Sequence, residues 1–165
     1  MQVSKRSREI DKKNWLNHVR LGYNYRMTEL QAAIGIIQLK KLPNLLKKRE
    51  DLARKYTEIL KNTPGIIVPF ESKKYKRSWF LYYLNFESLR LRKKVQKHLL
   101  SKGIESRTLF PPIPSYYEYK KRGYDPRDYP ISEDVYKKTL ALPLSPNMNE
   151  EDVTYICNEI KKALR

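Results

Sequence analysis

Apolar and polar positions recur along this chain with a changing period, and the changes mark its elements. From Thr28 the apolar residues fall at helical spacing: Leu30, Ala33, Ile34 and Ile37 share one face, while Ala32, Ile36 and Leu39 cover much of the other. A helix apolar nearly all round is a buried one, which predicts a deep core or an interface. Thr28 and Gln31 have capping-box spacing, so the helix is expected to start at Thr28. Gly35 in its middle costs about 1 kcal/mol against Ala, which makes sense if another backbone passes close by. Pro43 lacks an N–H and clashes with the preceding turn, so it is expected to end or kink this helix and to open a second one. That second helix has an apolar stripe of Leu45, Leu46, Leu52, Ala53, Tyr56, Ile59 and Leu60, with Lys47, Lys48, Glu50, Asp51, Arg54, Lys55 and Glu58 on the other side.

Asn62-Thr63-Pro64-Gly65 is a turn signal. After it, Ile66 to Val68 reads as a short strand and Trp79 to Phe86 as a long aromatic one, apolar on both faces and therefore expected in the core. The Lys73 to Arg77 cluster between them is a loop tip. Ser88 is placed to cap a helix with Leu91, Val95 and Leu99 on one face, Gly103 is placed to stop it, and Ile104 to Leu109 fits a strand returning to the sheet. Pro111, Pro112, Pro114 and Pro126 enforce a rigid, extended excursion broken by a short Tyr116 to Arg122 helix. Val135 marks a helical turn after Pro130, Leu140 to Leu142 a brief strand, and Pro143 to Pro146 a turn. Asn149 caps a terminal helix whose first turn holds Glu150, Glu151 and Asp152, with Val153, Ile156, Cys157, Ile160 and Leu164 as its buried stripe. Strand, strand, helix, strand is an α+β pattern, a small antiparallel sheet packed with helices.

A length of 165 residues suits one compact domain with a short, strongly polar N-terminal extension, Met1 to Leu21, anchored only by Ile10, Trp15, Leu16 and Val19. Charge changes the picture: 35 Lys and Arg against 18 Asp and Glu give +17, a balance that favours anionic partners. Two readings compete, a nucleic-acid footprint or a Lys-rich solvated surface with a phosphate-bearing ligand on it. The second is preferred, because the charges are spread along the chain. A lone Cys157 excludes an internal disulfide, fits a core position better than a nucleophile, and suggests a reducing cytoplasm. No apolar run approaches 18 residues and the first twenty residues are charged throughout, so neither a membrane span nor a signal peptide is expected. The five glycines are isolated, so there is no glycine-rich phosphate loop, and His18 and His98 lack metal-ligand spacing to each other or to Cys157. Neither a catalytic residue nor a metal site follows from the residues themselves.

One stretch carries more. Gly22-Tyr23-Asn24-Tyr25-Arg26-Met27, with Glu29, Gln31-Ala32-Ala33, Gly35 and Gln38-Leu39, resembles the segment that follows the cofactor lysine in the DegT/DnrJ/EryC1/StrS family of pyridoxal-phosphate (PLP) sugar aminotransferases. The resemblance continues through Gly103-Ile104-Glu105-Ser106-Arg107-Thr108-Leu109-Phe110, where Arg107 is similar to the perosamine-synthetase-like branch, then Ser132-Glu133, Leu140 to Leu144 and Asn149 to Val153. It spans about Trp15 to Leu164. It implies the C-terminal small domain of a fold-type I PLP-dependent transferase, with 1–27 as extension and active-site strap, 28–165 as the small domain, and the large PLP-binding domain absent, through truncation or a split gene. The implied function is amino transfer from a donor such as glutamate to a keto-sugar nucleotide.

The same resemblance implies roles for individual residues. Asn24 is expected to reach the PLP phosphate of a neighbouring subunit, which makes a homodimer, or pairing with a large PLP domain, the expected assembly. Arg26 is expected near the anionic part of the sugar nucleotide, with Tyr25, Arg107 and Phe110 as further substrate contacts. Each has a plainer reading: Asn24 satisfying backbone groups in the strap, Tyr25 packed on the helix, Arg26 paired with Glu29 one turn on, and Arg107 and Phe110 as ordinary surface residues. Where many members carry a histidine, this chain has Leu109 or Pro114, which leaves the sugar unspecified. The Schiff-base lysine, the serine before it, the acidic partner of the pyridine nitrogen and the stacking aromatic have no counterpart here, so the chain alone is expected to be inactive. The rival class is a basic nucleic-acid-binding or regulatory module using the +17 charge and the aromatic run around Trp79 and Tyr82.

Overall fold

The structure, a computed structural model, describes residues 22–72 and 74–165. It divides into two units, Met1–Gln38 and Leu39–Arg165. The expectations placed on Met1 to Leu21, His18 among them, and on Lys73 lie outside the described residues.

In the first unit an extended strap, 22–28, leads into helix α1 (Glu29–Leu60). The capping box forms as the spacing predicts: the Gln31 N–H donates to Thr28 Oγ1 at 3.3 Å and the Thr28 N–H donates to Gln31 Oε1 at 3.0 Å. The apolar residues that follow are not buried, however. Leu30 is 72% exposed, and Ile34, Ile36, Ile37 and Leu39 are exposed with it. Periodicity reads apolarity and not what covers it, so the deep-core expectation is corrected. Of the two predicted settings, an interface is the one left open. A Cβ built on Gly35 meets nothing within 4 Å, so no backbone among the described residues passes close there.

Pro43 is expected to end or kink the helix and to open a second one, and it does not end it: α1 runs through Pro43 as one element. A lone proline removes one backbone hydrogen bond and costs about 3 kcal/mol. The last two turns offset that by burying Leu52, Ala53, Tyr56 and Leu60, which are among the stripe residues the sequence marks.

In the second unit, β1 (Ile66–Ile67), β2 (Tyr82–Phe86) and β3 (Thr139–Leu142) form an antiparallel sheet in the order β1-β2-β3. The register sets Ile66 opposite Phe86, Tyr82 opposite Leu142 and Leu84 opposite Leu140. Helices α2 (Leu89–Ser101) and α5 (Glu150–Leu164) pack on each other, with α3 (Tyr117–Lys121) and α4 (Pro130–Lys138) in the proline-rich excursion between them. This is the α+β architecture that the pattern predicts.

Two strands are shorter than their sequence suggests. The aromatic strand begins at Tyr82 and not at Trp79, because Trp79 has φ +47°, a left-handed turn that breaks the extended run. Its side chains then alternate, with Tyr82, Leu84 and Phe86 buried and Tyr83 and Asn85 half-buried, while Phe80 and Leu81 are exposed. The expected return strand at Ile104 to Leu109 reduces to one bridge, where Arg107 and Ala141 exchange hydrogen bonds at 3.1 and 2.7 Å.

The caps behave as the sequence requires. Ser88 Oγ accepts from the Leu91 N–H, and Gly103, at φ +72°, lets the chain turn so that the Ile104 N–H closes on the Leu99 carbonyl at 2.9 Å. Asn149 and Asp152 form a reciprocal capping box at the start of α5. One link was not legible: His98 on α2 donates through Nε2 to Glu159 Oε2 on α5 at 2.8 Å, and Lys162 Nζ donates to the other oxygen at 2.6 Å. The hydrogen bonds from Lys162 and His98 hold the Glu159 carboxyl below its ordinary pKa.

Truncating Leu84, fully buried at the centre of β2, is expected to destabilise the protein by about 2–5 kcal/mol, read as a lowered urea midpoint. The depressed Glu159 pKa contributes stability that is complete above the ordinary carboxylate pKa and is lost as pH falls through the lowered native value. Glu159→Gln should therefore melt lower than the native chain at neutral pH, and the gap between them should close on acidification.

Candidate functional site

The strap and the start of α1 hold one group of candidate residues, in the first unit. Asn24 and Arg26 both have positive φ, +56° and +22°, so the backbone coils tightly between the extended chain and the cap. Arg26 Nε donates to Asn24 Oδ1 at 3.1 Å, and the rings of Tyr23 and Tyr25 stack with centroids 5.4 Å apart and planes 15° from parallel. Of the plainer readings, the pairing of Arg26 with Glu29 and the packing of Tyr25 on the helix are not adopted. Arg26 takes Asn24, and Tyr25 is 86% exposed beside Tyr23. With Asn24 Oδ1 occupied as an acceptor, its Nδ2 and both Arg26 Nη atoms are on exposed residues and have no other partner among the described residues. That donor set suits an anion: a neutral amide and a guanidinium bind phosphate oxygens without a competing carboxylate.

A separate group of candidates lies in the second unit. Arg107 is anchored through its backbone to Ala141 in β3, and its guanidinium extends into solvent, where Nη2 and Nε donate to Glu105 Oε1 at 2.6 and 3.1 Å. Residues two apart in an extended segment share a side, so this pair was legible in Glu105-Ser106-Arg107 and was missed. An anion reaching Arg107 meets a guanidinium already paired with a carboxylate. Phe110, three residues on, is 80% exposed and opens the proline-rich excursion.

Behind this segment is a support that the sequence did not reveal. Arg92, buried on α2, donates to the Lys137 carbonyl at the end of α4 and to Gln96 Oε1, and Gln96 Nε2 reaches the Ser106 carbonyl at 3.4 Å. The only signal was an arginine between Leu91 and Val95 on the apolar face, with a glutamine one turn later.

Other candidates resolve simply. Cys157 is buried and its thiol is pushed up to about 12 by desolvation, so it is a packing residue and not a nucleophile. Trp79 and Tyr82, the expected base-stacking platform of the rival class, are buried. Among the described residues no group of His, Cys, Asp and Glu is arranged to hold a metal, and no helix is long and apolar enough to cross a membrane. The best-formed hollows are two open depressions of about 400 and 490 Å³ around Pro126 and Arg127, and neither is lined by Asn24, Tyr25, Arg26, Arg107 or Phe110.

Four likenesses to known proteins bear on these residues. The pattern of the DegT/DnrJ/EryC1/StrS aminotransferase family matches residues 2–161. The uncharacterized protein MJ1066 of Methanocaldococcus jannaschii is 38% identical over 148 residues, and a GDP-perosamine synthase of Escherichia coli O157:H7 is 31% identical over 146. These alignments take in 87% and 88% of this chain, and the chain spans 38% of the length of each relative. Spr1654 of Streptococcus pneumoniae, described as a sugar aminotransferase and solved in its PLP form, superimposes with a TM-score of 0.77 at 28% identity, covering 89% of this chain and 38% of that one.

The cap that ends the strap is local. Thr28→Ala is expected to speed amide exchange at Gln31 and Ala32 by about fivefold, the equivalent of roughly 1 kcal/mol of capping, with the melting of the second unit unchanged.

Proposed function

The chain belongs to the DegT/DnrJ/EryC1/StrS aminotransferase family, and from that membership we propose that it is the C-terminal small domain of a PLP-dependent aminotransferase acting on keto-sugar nucleotides. The observation that carries the reading is the strap, where Asn24 and Arg26 present exposed donors immediately before a capped helix. PLP, when bound, supplies the electron sink for amino transfer. The residues present fit the anionic end of that cofactor and of a sugar nucleotide. Asn24 Nδ2 hydrogen-bonds the cofactor phosphate of the neighbouring subunit, and the Arg26 Nη donors bind the diphosphate of the substrate. Tyr25 flanks the substrate beside them. Arg107 and Phe110 would supply further substrate contacts.

No lysine here lies in the context that the cofactor's carbonyl requires, so the large PLP domain has to be fused or paired with this piece. The exposed face of α1 at Leu30, Ile34 and Ile37 is the surface that a second subunit or that domain covers. Residues 1–27 then serve as extension and strap and 28–165 as the small domain, in a cytoplasmic enzyme to which a lone buried thiol is suited.

Two measurements test this. Incubated with PLP and reduced with borohydride, the chain alone should show scattered, substoichiometric labelling by intact mass, and a saturable adduct at one lysine would contradict the absent-lysine reading. Joined behind the large domain of the E. coli relative, it should support glutamate-dependent amination of a keto-sugar nucleotide, reduced at least tenfold by Asn24→Ala. A chimera that takes up PLP yet aminates no substrate in a panel of keto-sugar nucleotides sinks the proposal.

A further inference from the structure

Helix α2 is electrostatically unlike its neighbours. Its sequence, Leu89-Arg90-Leu91-Arg92-Lys93-Lys94-Val95-Gln96-Lys97-His98-Leu99-Leu100-Ser101, contains no acidic residue. Some exposed cations elsewhere in the second unit are matched, Lys47 and Arg54 with Asp51, Arg127 with Asp125 and Lys137 with Glu133, while others, such as Lys61, Lys120 and Lys121, have no acidic partner among the described residues but are not gathered on one face of a helix without acidic residues. Arg90, Lys93, Lys94 and Lys97 are all exposed and, among the described residues, none has an acidic partner. At 3.6 residues per turn these four lie within an arc of about 100° and a rise of about 10 Å, opposite the buried Arg92, Val95 and Leu99.

Their position along the helix sharpens the point. Arg90 sits in the first turn and Lys93 and Lys94 in the second, near the positive end of the helix dipole, where carboxylates are favourable and cations are not. Helix α5 has the favourable arrangement, with Glu150, Glu151 and Asp152 in its first turn. At physiological ionic strength the screening length is about 8 Å, so the four cations act on one another and on a common partner. The face is thus mutually repulsive in the free protein and is relieved by an external negative surface.

We propose that the Arg90–Lys97 face of α2 docks on the surface of an anionic lipid bilayer. Three of the four cations are lysines, point charges that suit a diffuse field better than bidentate recognition. The one amide nearby, Gln96, is committed to Arg92 and the Ser106 carbonyl, so Arg90 is the one side chain on the face with the geometry to read a base edge. Leu100, 69% exposed, continues the line of Lys93 and Lys97 at helical spacing and places an apolar side chain where it enters the headgroup boundary. A nucleic-acid backbone offers that leucine no partner. The association is peripheral, since no described helix can span the membrane.

The test is co-sedimentation of the full chain with phosphatidylcholine vesicles, with and without phosphatidylserine, at physiological salt. Binding is expected only with phosphatidylserine. With each cation contributing about fivefold near such a surface, loss of three cations in the variant Lys93→Glu, Lys94→Glu, Lys97→Glu should weaken it by at least about a hundredfold, the added carboxylates weakening it further. A control with the same charge change elsewhere, Lys61→Glu, Lys120→Glu, Lys121→Glu, should keep most of the binding, and Leu100→Ser should lower it at unchanged charge. Circular dichroism of each variant confirms the fold, these side chains being exposed. Absence of binding to phosphatidylserine vesicles, equal loss in the control, or a duplex DNA that displaces the vesicles and loses its own binding in the same triple variant would each overturn the proposal.

Discussion

Tyr56 ties the long helix to two strands at once, and the second unit is built round that tie. Its ring stacks on Tyr82 of β2 with centroids 4.7 Å apart, and its hydroxyl donates to the carbonyl of Pro143, just beyond β3, at 2.9 Å. Burial pushes both phenols well above their ordinary pKa, so they stay neutral, and a neutral buried hydroxyl still needs a partner. Thr57 supplies the one for Tyr82: its hydroxyl donates to the Ala53 carbonyl and so accepts from the Tyr82 hydroxyl at 3.0 Å. Trp79 and Arg77 extend the stack, with the Arg77 guanidinium 5.3 Å from the Trp79 ring centre. One face of a three-stranded sheet is too small to hold a 32-residue helix by area alone, and the paired hydroxyls fix where the helix crosses it.

What this core leaves outside matters as much. The candidate site residues sit on segments it does not cover: a strap wound through two positive-φ residues, and a loop pinned at a single bridge to β3. Among the described residues the strap is held by local bonds, Thr28 with Gln31 and Arg26 with Asn24. The loop is held from behind by Arg92 and Gln96. Both expose hydrogen-bond donors to solvent.

The chain also handles charge in two ways. Some helices neutralise part of their cations within one turn, as Lys47 with Asp51 and Lys138 with Asp134 do. Helix α2 does not, and there the unmatched charge lies beside an exposed leucine.

The amino-acid sequence by itself determined what depends on near neighbours. The caps at Thr28, Ser88 and Asn149, the turn at Gly103, the stripe from Leu52 to Leu60 and the α+β order of elements follow from spacings of a few residues, and the family was legible from the strap because its motif is contiguous. Tertiary structure decided everything that requires two distant segments to meet. Pro43 did not break α1, because the burial of Tyr56 and Leu60 outweighs one lost hydrogen bond. The aromatic run became a half-buried strand, because Trp79 turns on a positive φ against Tyr82. His98 found Glu159 sixty-one residues away, and no spacing rule reaches that far. Hydrophobic period says that a face wants cover, and only the assembled core shows which faces this chain covers for itself.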